Sequence, residues 1–279
     1  MGFLLGAIFC NILMTFVLKY AEMDPAYSRG GALSFNYLLA TGISYYQVAR
    51  GPMPLTSGAT GVLGIGLCNG VLFILALYLM QKSIALNDAP LTSTFNRMGI
   101  FIPTFASILF FKERPTGIQG LGLALAMTCI VLLVFLRKKK SPDYKTLIYL
   151  LVTSGCIDLL NKIFSVYWGE VYKNHYVFYT FAGALLVSLA ANGRKKTKYR
   201  IKDMVYGFFI GLPNQINNLM LVKATILLPG YLVFPGYSGG IIILVNLTNY
   251  LLFKKKLTSK ELAISLTLVF SLVLIGSSL

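Results

Sequence analysis

The chain has 279 residues, 56% of them hydrophobic and only 12% charged, with a mean hydropathy of +0.72. Soluble domains are roughly one quarter charged, so this composition excludes an ordinary soluble protein and points to an integral membrane one. The net charge of +16 lies in short breaks between apolar segments, not in a stripe with interleaved aromatics. That pattern excludes nucleic acid as a partner and fits topology and anionic lipid.

A helix crossing the hydrocarbon needs roughly 20 apolar residues, and the chain has room for about ten such helices. The first predicted segment, 2–20, has no basic stretch before it and no small-residue cleavage pattern, so it is expected to be a retained helix. Its polar positions are Asn11 and Thr15. The second, 29–49, carries Asn36 and Tyr37, and the third, 62–86, carries Asn69 between Gly66 and Gly70 and ends near Lys82.

The fourth segment, 89–111, places Ser93, Thr94, Arg97 and Thr104 on one face, with Asn96 and Phe101 beside them. An Arg this far into an apolar helix either snorkels to the surface or holds a carboxylate or phosphate bidentately. The fifth segment, 117–136, follows the break FKERPTG and is Gly-spaced at its start.

The sixth, 146–168, carries a polar stripe of Ser154, Asp158, Asn161, Lys162 and Ser165. Asp158 and Lys162 stand one turn apart, as a self-neutralising ion pair does; if Asp158 titrates, it is the candidate for proton coupling. The seventh, 172–191, starts near His175, whose default place is the interface. The eighth, 204–227, contains Asn214, Gln215, Asn217 and Asn218 after Pro213. Four amides within five positions suit a hydrogen-bonding wall for a polar solute, or amide bonding between helices beside a glycine seam. The ninth, 229–253, has Tyr237 just after Pro235 and Gly236, and the tenth is 261–277.

The two halves repeat. Gly66, Gly70 and Lys82 recur as Gly207, Gly211 and Lys223; Phe111, Lys112 and Thr116 recur as Phe253, Lys254 and Thr258. Leu4, Leu5, Cys10 and Leu13 align with Leu150, Leu151, Cys156 and Leu159. Five segments per copy is an odd number, so the second copy is expected upside down relative to the first, around a central site. The expected fold is therefore all-α integral membrane: ten transmembrane helices as two inverted five-helix repeats, 1–140 and 141–279.

Within the repeat the mismatches stand out. Phe73, Ile74, Ala76 and Leu77 oppose Asn214, Gln215, Asn217 and Asn218; Ile12 opposes Asp158; Arg97 meets only Ser238 or Gly239.

The breaks after the fifth, seventh and ninth segments hold fifteen Lys and Arg, against five at those after the second, fourth, sixth and eighth, counting Lys223 near the end of the eighth segment. The positive-inside rule then places both termini outside. Tyr45, Tyr46, Tyr144, Tyr149, Trp168, Tyr172 and Tyr250 lie near segment ends and are expected as an interfacial belt. Cys10, Cys68, Cys129 and Cys156 lack ligand or redox spacing and are expected to be small packing residues.

The stretch from Ala89 to Leu133, with Pro103, FKERPTG and GIQGLGLALAM, resembles the EamA-like members of the drug/metabolite transporter superfamily. In the second half Lys255 stands where the first break has Glu113. The resemblance implies ten helices in two inverted repeats, alternating access around a cavity lined by the first, third, fourth, sixth, eighth and ninth segments, and cytoplasmic termini, against the charge count.

The expected function is a secondary transporter of small polar organic metabolites in the cell (plasma) membrane, with amino-acid-like or carboxylate-bearing solutes favoured. Its expected substrate contacts are Asn214, Gln215, Asn217, Asn218, Arg97, Asn96, Asp158, Asn161, Lys162, Asn11, Asn36, Asn69 and Tyr237. Alternatives are a flippase for a lipid or polyprenyl phosphate, using Arg97 or Lys162, and an exporter of amphipathic cationic drugs. The first segment lacks the embedded glutamate of the small multidrug exporters, which disfavours cation export. Nine scattered acidic residues and one histidine form no metal or acid–base constellation, so neither an enzyme nor a metal or cofactor is expected. The expected partners are a small-molecule substrate and the lipid bilayer, with the chain a monomer or homodimer.

Overall fold

The structure is a computed structural model that describes residues 1–25, 27–51, 58–87, 89–136, 141–194, 196–197, 199–253 and 258–277. The described residues form eleven helices and no strand. They are α1 (Gly2–Glu22), α2 (Arg29–Ala49), α3 (Ala59–Leu86), α4 (Ala89–Met98), α5 (Phe101–Leu109), α6 (Gly117–Leu136), α7 (Tyr144–Tyr167), α8 (Lys173–Arg194), α9 (Ile201–Leu227), α10 (Gly230–Phe253) and α11 (Ser259–Gly276).

Every predicted segment is helical, with bounds shifted by no more than three residues. The one difference in kind is the fourth, which is split into α4 and α5. The cause is Pro103, which has no N–H to donate to the Gly99 carbonyl and whose ring crowds that oxygen. Ile102 N takes Gly99 O instead, at 3.1 Å, while Ile100 N reaches Arg97 O at 3.4 Å. The helix therefore tightens into short turns and restarts.

Among the described residues, five helices are long and apolar enough to cross a membrane: α3, α7, α8, α10 over Gly230–Leu247, and α11. The stretches Gly2–Leu18 and Gly117–Leu133 are apolar but shorter. In α9 the amides from Asn214 to Asn218 interrupt the apolar run, and the split leaves α4 and α5 with 10 and 9 residues. The basic breaks at 137–140 and 254–257, on which much of the charge asymmetry and the Lys254 and Lys255 comparisons rest, lie outside the described residues. So do 52–57, Asp88 and the side chain of Tyr250.

The chain forms two compact units, each drawing on both sequence halves. One comprises Met1–Ile74 and Ile163–Ile226, the other Leu75–Lys162 and Leu227–Leu279. In the first, α2 packs along α8, and in the second α6 packs along α11; both pairs join helices at matching places in the order of the two sequence halves.

The repeated glycines sit in two further helix contacts of the first unit. A Cβ on Gly70 of α3 would strike Thr180 O and lie 2.7 Å from Ala184 N of α8, and one on Gly66 would lie 2.7 Å from Tyr179 Cβ. A Cβ on Gly211 of α9 would lie 2.8 Å from Asn36 O of α2, and one on Gly207 would lie 2.8 Å from Ala32 O. Thus α3 approaches α8 in the way α9 approaches α2, because glycine alone lets the backbones come this close.

The repeated threonines are helix caps. Thr116 and Gln119 bond reciprocally at the start of α6: Thr116 N donates to Gln119 Oε1 at 3.0 Å, and Gln119 N to Thr116 Oγ1 at 3.3 Å. Thr258 and Glu261 form the same capping box on α11. Each satisfies N–H groups that a helix start leaves open.

The first unit's core gathers Tyr37, Phe164, Tyr172, Tyr176, Phe181 and their neighbours. Tyr172 and His175 are buried there, with His175 set against the Tyr172 and Tyr179 rings, rather than in an interfacial belt. Trp168 packs on Gly61 and stacks with Phe164. Tyr45, Tyr46, Tyr144 and Tyr149 are exposed, as expected of a belt. The second unit has two smaller cores, around Leu91, Phe95 and Leu147 and around Ile100, Ile130 and Phe234. The four cysteines are free, two of them buried.

Candidate functional site

The polar residues fall into a neutral set in the first unit and a charged set in the second. In the neutral set, Asn214 Nδ2 donates to Asn36 Oδ1 at 3.1 Å, directly beside the contact of Gly211 with the Asn36 backbone. Gln215 Nε2 donates to Gln47 Oε1 at 3.2 Å. Asn217 and Asn218 are buried too, and Asn218 Oδ1 has no hydrogen-bond partner among the described residues. Buried acceptors in native folds are seldom left this way, which singles out Asn218 within the amide run.

Asn69 is fully buried on α3 and donates to Tyr176 Oη of α8 at 2.7 Å. Asn11 is buried on α1, its carbonyl accepting from Thr15 Oγ1 at 2.8 Å. Asn36, Asn69, Asn214 and Gln215 therefore join helices, which is the packing role that amides take in apolar surroundings.

The charged set is strung along the polar stripe of α7. Ser154 Oγ donates to Asn96 O at 3.1 Å and so satisfies a carbonyl at the end of α4. Here α4 and α7 touch backbone to backbone: a Cβ on Gly99 would lie 2.9 Å from both Gly155 N and Leu151 O. One turn further, Asp158 lies within electrostatic reach of the guanidinium of Arg97, which also shares a side-chain hydrogen bond with Tyr237 of α10. Tyr237 is buried, whereas Arg97 and Asp158 are only partly so. Arg97 occupies the last turn of α4, where a cation meets the negative end of the helix dipole.

One turn beyond Asp158, Lys162 is buried and donates to Glu113 Oε1. Asn161 is buried beside it. Lys162 thus takes its carboxylate from the α5–α6 break, and Asp158 lies within electrostatic reach of a cation on α4, in place of the pairing of the two along α7 that their spacing suggested.

Glu113 is the participant that sequence reasoning missed. Its carboxylate also accepts from Gly230 N at 3.0 Å and Tyr231 N at 3.2 Å, capping α10 from across the fold. The signal available was its place in FKERPTG, a break that carries one carboxylate among cations.

Other described acidic side chains serve helix ends or loops. Asp203 accepts from Ser28 N and Arg200 N, and Asp143 from Thr146 Oγ1. Asp24 meets Lys202 and Tyr206, Glu170 meets Lys173 and Lys223, and Glu261 caps α11. Asp158 alone among the described carboxylates stands in the middle of a long helix. Among the described residues no group of His, Cys, Asp and Glu is placed to hold a metal ion.

Chemically, Arg97 with Tyr237 offers a planar fork of donors and a hydroxyl to a carboxylate, and Asp158 offers an acceptor to an ammonium. Both charges lie within one unit, on helices fixed by the Gly99–Gly155 contact.

No family model matches the chain. An uncharacterized protein of Haemophilus influenzae is 25% identical over 289 aligned residues, spanning 96% of each chain. A crystal structure of a protein with 12% identity superposes with a TM-score of 0.73, covering 99% of this chain and 98% of that one. The fold is therefore one that a solved protein shares along nearly its whole length.

Proposed function

We propose that the chain is a multi-pass carrier of the cell membrane that moves small polar organic metabolites by alternating access, with amino-acid-like or other carboxylate-bearing solutes as cargo. The observation that carries this reading is the meeting of Arg97, Asp158 and Tyr237 in helices otherwise built of apolar residues. Ionised groups in such helices are expensive, and where they occur they face partners or a hydrated path. Asp158 has no helix end to cap and Arg97 retains accessible surface, so the pair suits a solute that replaces one partner at a time.

Supporting it are the broken α4–α5 helix, a device by which carriers present backbone ends to a substrate, and the glycine and threonine contacts repeated between halves. They fit ten spans arranged as two inverted five-helix repeats, the architecture of the EamA-like transporters that the sequence resembles.

The test is a thermal-shift screen of the purified chain against amino acids, simple carboxylates, nucleotides, sugars and polyamines. Carboxylate-bearing compounds raise the melting temperature, and Arg97→Gln removes the response. Stabilisation by lipophilic cations alone, or a carboxylate response that Arg97→Gln leaves intact, overturns the reading.

A further inference from the structure

Lys162 and its surroundings form a second constellation, apart from Arg97. The Lys162 side chain is 5% accessible, and three donors converge on the Glu113 carboxylate: Lys162 Nζ and Gly230 N on Oε1, Tyr231 N on Oε2. Gly230 and Tyr231 open α10, a 24-residue helix whose start carries the positive end of its dipole. These contacts make a capped helix start with an ion pair.

Ser107 makes it more. Its hydroxyl on α5 is fully buried, lies where a Cβ on Gly230 would strike it, and has no hydrogen-bond partner among the described residues. The two oxygens of Glu113 are taken up by the other three donors. A buried hydroxyl beside a helix start and a buried ammonium is a fourth donor without an acceptor. Glu113 also forms part of the wall of an open pocket of about 670 Å³, lined by Ile108, Lys112, Arg114 and Pro115 as well. The carboxylate therefore separates a set of anion donors from a basic, accessible space.

We propose that Lys162, the first N–H groups of α10 and Ser107 form an oxyanion site of phosphate class, in which Glu113 is a tethered occupant that a ligand arriving through the Lys112–Arg114 pocket replaces. A phosphate group offers three oxygens and more negative charge than a carboxylate, so it meets the Ser107 hydroxyl as well as the donors that Glu113 already uses. The phosphate belongs either to a soluble ester or to a lipid headgroup. The site does not depend on Arg97 or on the carrier reading.

The experiment titrates inorganic phosphate, acetate and short-chain phosphatidic acid separately into the full chain in neutral detergent, following the melting temperature. Wild type shows a saturable phosphate response, Glu113→Gln binds about tenfold more tightly because the competing charge is gone, and Lys162→Gln abolishes the response. Ser107→Ala weakens phosphate about tenfold while leaving any acetate response unchanged, which a purely structural Ser107 would not do. A response to phosphatidic acid alone assigns the site to a headgroup, and a response to inorganic phosphate assigns it to a soluble ester. Absence of a saturable response to either phosphate compound in both wild type and Glu113→Gln overturns the proposal, as does a response that survives Lys162→Gln or equal losses for phosphate and acetate in Ser107→Ala. Should Lys162→Gln fail to fold, the Ser107→Ala comparison decides.

Discussion

The two compact units solve the same problem with different chemistry. In the first, polar side chains inside apolar helices answer one another as neutral amides: Asn214 with Asn36, Gln215 with Gln47. In the second they are charges strung along α7: Asp158 within electrostatic reach of Arg97, Lys162 bound to Glu113. The positions that match between the sequence halves show where the two chemistries diverge. Phe73 and Ile74 of α3 pack into the aromatic core, Phe73 with its ring 6.3 Å from Phe181. Their counterparts on α9 are Asn214 and Gln215, set on the same kind of glycine contact. Backbone contacts are shared between the copies and side-chain chemistry is not, so the glycines belong to the scaffold and the unmatched polar residues to function or to helix-joining specific to one copy.

The largest expected effect breaks the charged side of this comparison. Asp158→Asn removes the carboxylate that acts electrostatically on the partly buried Arg97 and is expected to cost about 2–3 kcal/mol, because a charged partner is lost rather than a neutral one. Asn214→Leu on the neutral side costs only about 0.6–2 kcal/mol. Chemical denaturation of the purified chain measures both, and equal losses would erase the distinction between the units.

The shared scaffold is tested next. Gly70→Ala and Gly211→Ala each push a methyl into the backbone of a facing helix and are expected to destabilise by about 1–3 kcal/mol. Gly42→Ala, where a Cβ meets nothing within 4 Å, is expected to be neutral or stabilising by about 0.5–1 kcal/mol. If Gly70 and Gly211 respond in opposite directions, the two seams are not equivalent.

The smallest effect is expected at the caps. Thr116→Ala and Thr258→Ala should each cost about 1 kcal/mol, read as matching shifts in melting temperature. A loss at only one of them would show that the repeat is not used alike at both helix starts.

The helices were legible because apolar runs and their charged or Pro/Gly breaks are local signals. The interruption at Gly99 was legible in principle, since Pro103 removes the donor that Gly99 O needs, but an apolar stretch on both sides concealed it. Arg97 and Asp158 stood out separately because ionised groups in apolar helices are costly; that they come within electrostatic reach of each other depends on α4 and α7 meeting at Gly99 and Gly155, which spacing does not reveal. Glu113 was hidden for the same reason. Its partners Lys162 and Gly230 lie 49 and 117 residues away, and a carboxylate in a loop reads as solvated until the fold brings it to an ammonium and a helix start. The amide run was conspicuous, yet its reading as a wall for solute was only one of two: Asn214 and Gln215 bond to other helices, while Asn218 keeps an acceptor that nothing in the described residues answers.

In the proposed carrier, Arg97 and Asp158 hold the cargo. The most direct test is counterflow of a radiolabelled amino-acid mixture in proteoliposomes containing wild type, Arg97→Gln, Asp158→Asn or Asn214→Leu, each first shown to be folded by its melting transition. Saturable exchange is expected in wild type and Asn214→Leu and none above the empty-vesicle rate in the other two. Exchange at the wild-type rate in Arg97→Gln would contradict it.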